Sequence, residues 1–303
     1  MSKADPNGAV RRRAAPAKIN LALHVVGRRD DGYHLLDMLV AFADIGDRVS
    51  WAPGGDGCRL VLRDRFDRRP DPVPDTTANL AWQALALAGR IGGGALAGTL
   101  EVEKHLPSGA GIGGGSSDAA AVLRAVLGDG RAADDGTAAR ALALGADLPV
   151  CLADRPARVR GIGDRILPLS LPRPLSVVLV WPGAGLSTPA VFRARTGGFG
   201  DSIPDTALSG LTHDPLGAIA GLRNDLEAAA CRLLPAVATA LEAVRDRDGC
   251  RIARMSGSGS TVVGYFADDG AAEAAARSIA AAHPRWWVRA TVLRPSYRPE
   301  YNH

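Results

Sequence analysis

A glycine-rich loop that runs directly into a helix constrains this chain more than any other feature. Residues 107–120 read Pro-Ser-Gly-Ala-Gly-Ile-Gly-Gly-Gly-Ser-Ser-Asp-Ala-Ala, and an Ala- and Leu-rich run follows as far as Leu127. Glycine permits positive φ angles and lets a ligand approach the backbone closely, whereas alanine and leucine favour helix. The free N–H groups and the positive dipole end of a helix N-terminus attract anions. The segment therefore predicts a binding loop for a polyphosphate.

The motifs of two common classes of nucleotide-binding protein are absent from the sequence. A Walker A loop requires Gly-Lys-Ser or Gly-Lys-Thr, but none of the three lysines, Lys3, Lys18 and Lys104, follows a glycine. The His-Arg-Asp and Asp-Phe-Gly motifs of protein kinases do not occur either. The sequence thus argues against a P-loop NTPase and against a protein kinase.

A dinucleotide-binding pattern, G-x-G-x-x-G, does match at Gly109, Gly111 and Gly114, but a segment so rich in glycine fits many patterns. A Rossmann loop normally follows the first strand of its domain, and an acidic residue ends a second strand about 20 residues later. Here the loop begins only at residue 107, and the polar segment 129–137 is predicted to be a loop. The sequence therefore favours a different kind of phosphate site.

The loop resembles the phosphate-binding motif of the GHMP small-molecule kinases, Pro-x-x-x-Gly-Leu-Gly-Ser/Gly-Ser-Ser. It departs from that pattern at Ser108, where a hydrophobic residue is more usual, and at Ile112, which replaces leucine. Other segments match further motifs of the family: Ala15-Pro-Ala-Lys-Ile-Asn-Leu21, Asp31-Gly-Tyr-His34, Gly145-Ala-Asp-Leu-Pro149, Asn224-Asp-Leu-Glu227 and Met255-Ser-Gly-Ser-Gly-Ser-Thr261. The resemblance runs in order from residue 15 to residue 261, which is most of the chain.

Hydrophobic periodicity alone predicts an α+β protein of two domains. Strands are predicted at 19–25, 33–43, 48–51, 59–62, 99–105, 176–181, 252–255, 262–266 and 286–293. Helices are predicted at 79–91 (with Thr76 or Thr77 as N-cap), 119–127, 138–144, 222–231, 235–245 and 271–282. The family resemblance implies the two-domain GHMP kinase fold. It places a domain like the second domain of ribosomal protein S5 at residues 1–170 and a ferredoxin-like domain at residues 171–303.

Composition indicates a globular protein with a packed core, since 47% of the 303 residues are hydrophobic and 22% are charged. The net charge of +4 comes mainly from scattered arginines, which predicts solvated surface charge and no nucleic-acid partner. The four cysteines, Cys58, Cys151, Cys231 and Cys250, lack metal-binding spacing and are predicted to be reduced. No apolar run reaches the roughly 18 residues of a membrane helix, and no signal peptide is evident. A cytoplasmic protein without a membrane partner is expected.

Lys18 and Asn20 lie two positions apart on the first predicted strand and therefore share one face, opposite to Ile19 and Leu21. Such a pair usually belongs to the exposed surface. Lysine is scarce in this chain, however, and its use where arginine abounds points to a need for a compact ammonium group. The family resemblance implies that Lys18 lies near the substrate hydroxyl.

Asp147 follows a predicted helix end, and its spacing alone indicates a turn former. Pro149 also biases Leu148 away from helical backbone. The family resemblance reverses the reading of Asp147, because the aspartate of the matching motif is the proposed catalytic base. Even without taking the proton, a carboxylate beside the hydroxyl would orient it.

ATP and Mg²⁺ are the cofactors that the resemblance implies. The loop residues expected to contact the nucleotide are Pro107, Ser108, Gly109, Ala110, Gly111, Ile112, Gly113, Gly114, Gly115, Ser116 and Ser117. Ser117 and Asp118 could also cap the helix, which is compatible with phosphate binding. Asn79 and Lys104 are expected to contact the adenosine.

A small-molecule acceptor linked to cytidine diphosphate is the partner that the resemblance implies. Tyr33 would stack on the cytosine, His34 would form a hydrogen bond with it, and Phe192 would be a second stacking ring. Asn20 is a further expected substrate contact, and a tight turn at Gly257 and Ser258 would close the site.

The expected reaction is ATP-dependent phosphorylation of the 2-hydroxyl of a cytidine-diphosphate-linked methylerythritol, in the non-mevalonate route to isoprenoid precursors. One alternative is a GHMP kinase for another small alcohol, such as homoserine, mevalonate or a sugar. A second is a non-catalytic nucleotide-binding regulator on the same fold. An aromatic-plus-histidine pair at residues 33 and 34 suits a nucleobase and favours the first reading, and the presence of both Lys18 and Asp147 argues against lost catalysis.

Overall fold

One mixed β-sheet runs through the parts of the chain that the computed structural model describes, residues 9–66 and 78–294. Its strands are β1 (Arg11–Arg28), β2 (His34–Pro53), β3 (Cys58–Asp64), β4 (Gly98–Lys104), β5 (Ala157–Gly161), β6 (Arg165–Pro168), β7 (Leu175–Trp181), β8 (Cys250–Met255), β9 (Val262–Phe266) and β10 (Trp287–Arg294). The helices are α1 (Leu80–Gly92), α2 (Gly114–Leu127), α3 (Asp129–Ala132), α4 (Asp135–Leu142), α5 (Leu148–Ala153), α6 (Thr188–Ala194), α7 (Asp205–Gly210), α8 (Pro215–Ala220), α9 (Glu227–Leu233), α10 (Ala236–Arg245) and α11 (Asp269–Ala282). The predicted α+β class is confirmed.

Strand β2 is the hub of this sheet, because it pairs antiparallel with β1, β4, β5 and β10. The main path across the sheet is β3-β4-β2-β10-β7-β9-β8. The link from β2 to β10 pairs Ala43 with Leu293 and Phe42 with Arg294. The strands that follow residue 170 thereby extend the sheet of the preceding half. The predicted domain boundary near residue 170 lies in the connection between β6 and β7.

The core lies on both faces of β2. Met38, Val40 and Phe42 belong to a cluster of buried apolar side chains that includes the inner faces of α1 and α2, whereas Leu39 and Ala41 belong to a second cluster. This alternation is what a strand buried on both faces requires. Helix α2 is buried along most of its length, from Ser117 to Ala125. The buried position of α2 fixes the end of the glycine-rich loop that leads into it.

Segment 129–137 was predicted to be a loop, and that prediction is wrong: α3 and the start of α4 occupy it. Polar residues occur here because a helix start is capped by a polar side chain. The Asp134 carboxylate accepts a hydrogen bond from the Thr137 N–H at 2.7 Å. The predicted strands 33–43 and 48–51 form the single strand β2, because antiparallel pairing with β1 continues opposite Gly46 and Asp47. The short strands β5 and β6 were not predicted.

Two predicted helix starts are displaced. Helix α2 begins at Gly114, several residues before the predicted start at Ala119, because Gly113 has a φ of +68° and takes the N-cap position. Residues 222–226 are not helical, since Asn224 forms a bridge with Leu23 of β1 and α9 begins only at Glu227. The first boundary is set by a glycine in the left-handed region, and the second by a backbone contact outside the local sequence.

Asn79 caps α1, because its side chain accepts a hydrogen bond from the Ala81 N–H at 2.9 Å. The predicted caps, Thr76 and Thr77, lie outside the described residues. The four cysteines are free thiols, as predicted. Among the described helices, none combines the length and the apolar character needed to cross a membrane.

Candidate functional site

The glycine-rich loop is held between β1 and the loop that follows β8. The Lys18 N–H donates a hydrogen bond to the Ile112 carbonyl at 2.8 Å, and the Thr261 N–H donates to the Ala110 carbonyl at 3.1 Å. Gly111 has a φ of +74°, and a Cβ atom there would lie 2.2 Å from the Gly259 carbonyl oxygen. Glycine is therefore required at residue 111 by close backbone packing as well as by conformation.

A cavity of about 600 Å³, called here the loop cavity, opens in front of the α2 N-terminus. Every residue from Pro107 to Ser116 lines it. It is also lined by most of the other predicted site residues: Lys18, Asn20, Lys104, Asp147, Phe192, Gly257 and Ser258. The structure therefore brings together segments that lie more than two hundred positions apart in the chain.

Lys18 and Asp147 form an ion pair in this cavity, with 2.9 Å between Lys18 Nζ and Asp147 Oδ2. Lys18 is 3% exposed and Asn20 is 2% exposed, so this pair does not belong to the exposed surface, where such pairs usually lie. Irregularities in the pairing of β1 with β2 flank both residues, and such bulges re-aim side chains. Ile19 packs into the opposite apolar cluster, as predicted.

Asp147 precedes helix α5, which begins at Leu148. The expectation that Pro149 keeps Leu148 out of a helix is therefore wrong. Proline is tolerated in a first helical turn, where its missing N–H group would have no intrahelical partner. The start of α5 places the Asp147 carboxylate, 39% exposed, at the cavity surface, where a substrate group can reach it.

Asn20 offers an unused hydrogen-bond acceptor to the loop cavity. Its Nδ2 group lies 3.4 Å from Met38 Sδ, but its Oδ1 atom is buried and has no partner among the described residues. A Cβ atom on Gly257 would lie 3.4 Å from Asn20 Oδ1. A buried acceptor without a partner costs about 1–3 kcal/mol, so a ligand hydroxyl or amino group at this position would be stabilised.

A buried triad of charges lies beneath the α2 N-terminus. Lys104 Nζ donates hydrogen bonds to Asp118 Oδ2, at 2.6 Å, and to Asp47 Oδ2. Burial lowers the pKa of Lys104, but the two carboxylates more than offset this, so the pKa is raised overall. Burial raises the pKa of Asp118, against the attraction of Lys104. A Cβ atom on Gly114 would lie 3.6 Å from Lys104 Nζ, so the ammonium group stands beside the helix end.

Two roles predicted for Ser117 and Asp118 are not supported by the side-chain positions. The Ser117 hydroxyl donates to the Cys151 sulfur at 3.5 Å and is buried away from the loop cavity. Ser117 and Asp118 do not cap α2, because the helix begins at Gly114 and has no side-chain cap. Asn79 caps α1 through its Oδ1 atom, and its expected contact with the adenosine stays a prediction.

A second cavity, of about 860 Å³ and called here the aromatic cavity, adjoins the first. The two share five wall residues: Leu36, Ala146, Ile162, Thr188 and Phe192. Tyr33, which is 65% exposed, and His34 line the aromatic cavity. The His34 and Phe192 rings stack, with centroids 4.9 Å apart and planes inclined by 25°. The three predicted aromatic and imidazole side chains therefore meet at one cavity.

Burial lowers the pKa of His34, and the Arg28 and Arg195 guanidinium groups lower it further. The ring is therefore neutral at pH 7, with one nitrogen as donor and the other as acceptor. A neutral imidazole suits hydrogen bonding to an uncharged heterocycle.

Asn224 was quoted in a family motif but was not predicted to have a site role. Its Nδ2 group donates to the carbonyl oxygens of Met255, at 2.7 Å, and Gly257, at 2.8 Å. It thus holds the 255–258 turn against the loop cavity. Phe199 and Arg195 of the aromatic cavity were also missed, because they lie in an irregular segment without periodicity.

Comparison with known proteins agrees with this geometry. Residues 79–153 match the family described as the GHMP kinases N terminal domain, and residues 207–285 match the GHMP kinases C terminal family. A crystal structure of homoserine kinase from Cytophaga hutchinsonii is similar, with a TM-score of 0.73 over 98% of each chain. At 17% identity that likeness shows the fold alone.

More similar proteins carry a more specific name. A 4-diphosphocytidyl-2-C-methyl-D-erythritol kinase of Paracoccus denitrificans is 47% identical over 294 residues, which cover 94% of this chain and 98% of the relative. A crystal structure of 4-(cytidine 5'-diphospho)-2C-methyl-D-erythritol kinase matches with a TM-score of 0.74 at 37% identity, covering 93% of this chain and 99% of that one. This chain therefore belongs to the 4-diphosphocytidyl-2-C-methyl-D-erythritol kinases, a family of GHMP kinases.

Proposed function

We propose that this chain transfers the γ-phosphoryl group of ATP to the 2-hydroxyl of 4-diphosphocytidyl-2-C-methyl-D-erythritol. The observation that carries the proposal is the Lys18–Asp147 ion pair in the loop cavity. Ala146, next to Asp147, belongs to the wall that both cavities share. The pair therefore stands where a nucleotide held by the loop and an acceptor held by the aromatic cavity would meet.

The triphosphate is assigned to the α2 N-terminus and the loop before it. The backbone N–H groups and dipole at this helix end favour anions, and the Lys104 ammonium group, which pairs with Asp47 and Asp118, lies beside Gly114. Phosphoryl transfer depends mainly on positioning and on stabilising charge, and a backbone cradle at a helix N-terminus supplies both.

Asp147 is assigned to the acceptor hydroxyl. The hydroxyl oxygen forms a bond to the γ-phosphorus, the bond from that phosphorus to the bridging oxygen breaks, and ADP leaves. The Asp147 carboxylate accepts the hydrogen bond of the hydroxyl and receives its proton. Lys18 holds the carboxylate in place and brings a positive charge close to the transferred group. The unpartnered Asn20 Oδ1 would accept a hydrogen bond from the acceptor.

Mg²⁺ fits this site as an ion carried by ATP. Among the described residues no three His, Cys, Asp or Glu side chains gather into a group that could hold a metal ion. Mg²⁺ is commonly bound through substrate phosphates with few protein ligands, and the Ser116 hydroxyl, which lines the loop cavity, would be a candidate ligand. When bound, the ion would neutralise charge on the β- and γ-phosphates.

ADP release with four acceptors tests the proposal: the cytidyl substrate, mevalonate, homoserine and galactose. We expect turnover with the cytidyl substrate alone. A higher kcat/KM for one of the other alcohols would assign a different substrate. Nucleotide binding without turnover of any acceptor would instead indicate a regulator on the same fold.

Tyr33→Ala is expected to raise the KM for the cytidyl substrate and to leave the KM for ATP unchanged. Loss of a stacked ring should cost roughly 1–3 kcal/mol, which is about 5–150-fold. Steady-state kinetics with each substrate in turn measures both constants. Tyr33→Phe is the control, because it keeps the ring and should change the KM for the acceptor little. A large loss in the Phe variant would mean that the hydroxyl group matters and that stacking is the wrong account.

Gly114→Val is expected to weaken ATP binding at least about tenfold, or about 1.4 kcal/mol, in a folded protein. A Cβ atom at this position meets only ordinary contacts, none nearer than 3.6 Å, but it projects beside Lys104 at the helix end. Calorimetric titration of ATP measures the change. Gly130→Val is the matched control, because a Cβ atom at this second helical glycine meets nothing within 4 Å. Equal ATP affinity in both folded variants would show that the loop does not hold the phosphates. Gly113→Val is less useful, since a Cβ at its positive φ would lie 2.8 Å from Lys18 Cβ.

A further inference from the structure

The segment between α6 and α7, residues 195–204, is called here the 195–204 loop. It has no regular secondary structure, but it is tethered at several points. The Gly200 N–H donates to the Val25 carbonyl at 3.1 Å, and Arg223 donates to the Asp201 carbonyl at 3.0 Å. The first bond attaches the loop to the end of β1 that lies next to the Asp31–His34 turn, and the second attaches it to the segment that precedes α9.

A buried ion pair anchors the far end of the loop. Arg158 of β5 donates to both oxygens of the Asp37 carboxylate, at 2.8 and 2.7 Å, and also to the Ile203 carbonyl at 2.8 Å. The Ile203 N–H donates in turn to Asp37 at 3.0 Å. Asp37 is fully buried, and forked arginine–carboxylate bonds of this kind fix geometry as well as adding energy. The loop is therefore attached to the rest of the protein at Gly200, Asp201 and Ile203.

The tip of the 195–204 loop presents an aromatic ring to the aromatic cavity. Phe199 is 53% exposed, and its ring is edge-on to His34, with centroids 6.4 Å apart and planes inclined by 68°. Arg195 donates hydrogen bonds to the Gly197 and Gly198 carbonyls, and its guanidinium carbon lies 5.7 Å from the Phe199 ring centroid. Arg195 thus holds the backbone just before Phe199 and covers part of its ring.

The exposed ring of Phe199 is available to contact a ligand. Across residues 9–66 and 78–294, the large aromatic side chains classed as exposed are Tyr33 and Phe199, and both line the aromatic cavity. An exposed aromatic pair facing one cavity is typical of a binding site for a flat apolar or heterocyclic group. His34 and Phe192 already stack on each other and form one wall. Tyr33 and Phe199 leave ring surface free for a ligand.

We infer that Phe199 is a substrate-contacting residue that packs against the pyrimidine of the acceptor, and that Arg195 positions it. This inference rests on the proposed function, because it concerns the same acceptor. Phe199 would be an aromatic contact of the pyrimidine in addition to Tyr33 and Phe192, and it comes from a separate loop. Selection for a nucleotide-linked acceptor over a small free alcohol would then depend on the 195–204 loop as well as on Tyr33.

Phe199→Ala, Phe199→Tyr and Leu233→Ala are the test variants. Leu233 is another exposed hydrophobic side chain, 45% exposed, and it lies outside both cavities. We expect Phe199→Ala to raise the KM for the cytidyl acceptor about 5–150-fold, with the KM for ATP unchanged. The inhibition constant of cytidine 5'-monophosphate against the acceptor should rise by the same factor. Phe199→Tyr and Leu233→Ala should both stay close to wild type.

The role of Arg195 is tested by a double-mutant cycle. Arg195→Met should raise the acceptor KM in the wild-type background but add little to Phe199→Ala, because it acts through that ring. Two results in a folded Phe199→Ala variant would overturn this inference and leave the proposed function standing. They are an acceptor KM within twofold of wild type and a cytidine 5'-monophosphate inhibition constant within twofold of wild type. Failure of the wild type to phosphorylate the cytidyl acceptor would instead overturn the proposed function.

Discussion

Asp147→Asn is expected to lower kcat by about 10²–10⁴-fold, the usual contribution of general-base assistance, and to leave the affinity for ATP close to wild type. The substitution is nearly isosteric, and an asparagine oxygen can still accept the hydrogen bond that Lys18 Nζ makes at 2.9 Å. Folding and the loop before α2 should therefore be preserved. What is lost is the negative charge and, on the proposed function, the proton-accepting group beside the acceptor hydroxyl.

Two measurements check this: kcat with the cytidyl acceptor at saturation, and calorimetric ATP binding. Asp44→Asn is the matched control, because Asp44 is 38% exposed, pairs with Arg294 at 2.7 Å, and lies outside both cavities. It should retain full activity. A kcat within threefold of wild type for Asp147→Asn would remove Asp147 from the chemical step.

Lys104→Met is expected to lower the free energy of unfolding by about 3–5 kcal/mol, as removal of one partner from a buried ion pair commonly does. Asp47 is 1% exposed and Asp118 is 5% exposed, so two carboxylates would remain buried without their shared cation. Asp47 keeps the N–H groups of His105 and Leu106 as donors. Asp118 has no such bonds in the described structure, and its Oδ1 atom is without a partner already.

The loss should also depend on pH, with a definite sign. Burial and Asp47 both raise the pKa of Asp118, and Lys104 counteracts them. Without Lys104 the native state would bind a proton at a pH where the unfolded chain does not. Stability then falls as pH rises, so the variant should lose more at pH 8 than at pH 6.

Denaturant unfolding of wild type and variant at both pH values gives these free energies. Arg63→Met is the control, because Arg63 pairs with Glu101 on the neighbouring strands but is half exposed. Pairs of that kind contribute about 0–1 kcal/mol. A loss for Lys104→Met no larger than this would mean that the triad does not stabilise the fold.

The residues that line the loop cavity could be predicted from the sequence because residue type and spacing in their motifs indicate the local backbone. The glycines before α2 signal a backbone that approaches a ligand, and the structure places that backbone along the cavity from Pro107 to Ser116. The strand period put Lys18 and Asn20 on one face, away from Ile19, and the structure agrees. What local pattern could not give was their burial, since that depends on the loop, on Asp147 and on the turn after β8.

Other features escaped prediction because tertiary contacts decide them. Ser117 reads as a phosphate ligand in the motif, but α2 starts earlier than its composition suggests and turns the hydroxyl toward Cys151. Residues 222–226 have helical spacing, yet they pair with β1 through Leu23. Phe199 lies in a loop whose conformation is fixed by Asp37 and Arg158, and no periodic signal marks such a position.

The backbone contact between Gly111 and Gly259 has a bearing on how the protein is made. Ala110 and Gly111 rest on a turn that follows β8, and β2 meets the other half of the sheet through β10, which ends at Arg294. The ribosome delivers Lys18, Gly111 and Asp147 long before these partners. During synthesis the glycine-rich loop therefore lacks its contacts with this turn at first, and the site is complete only after the segment through Arg294 has been made.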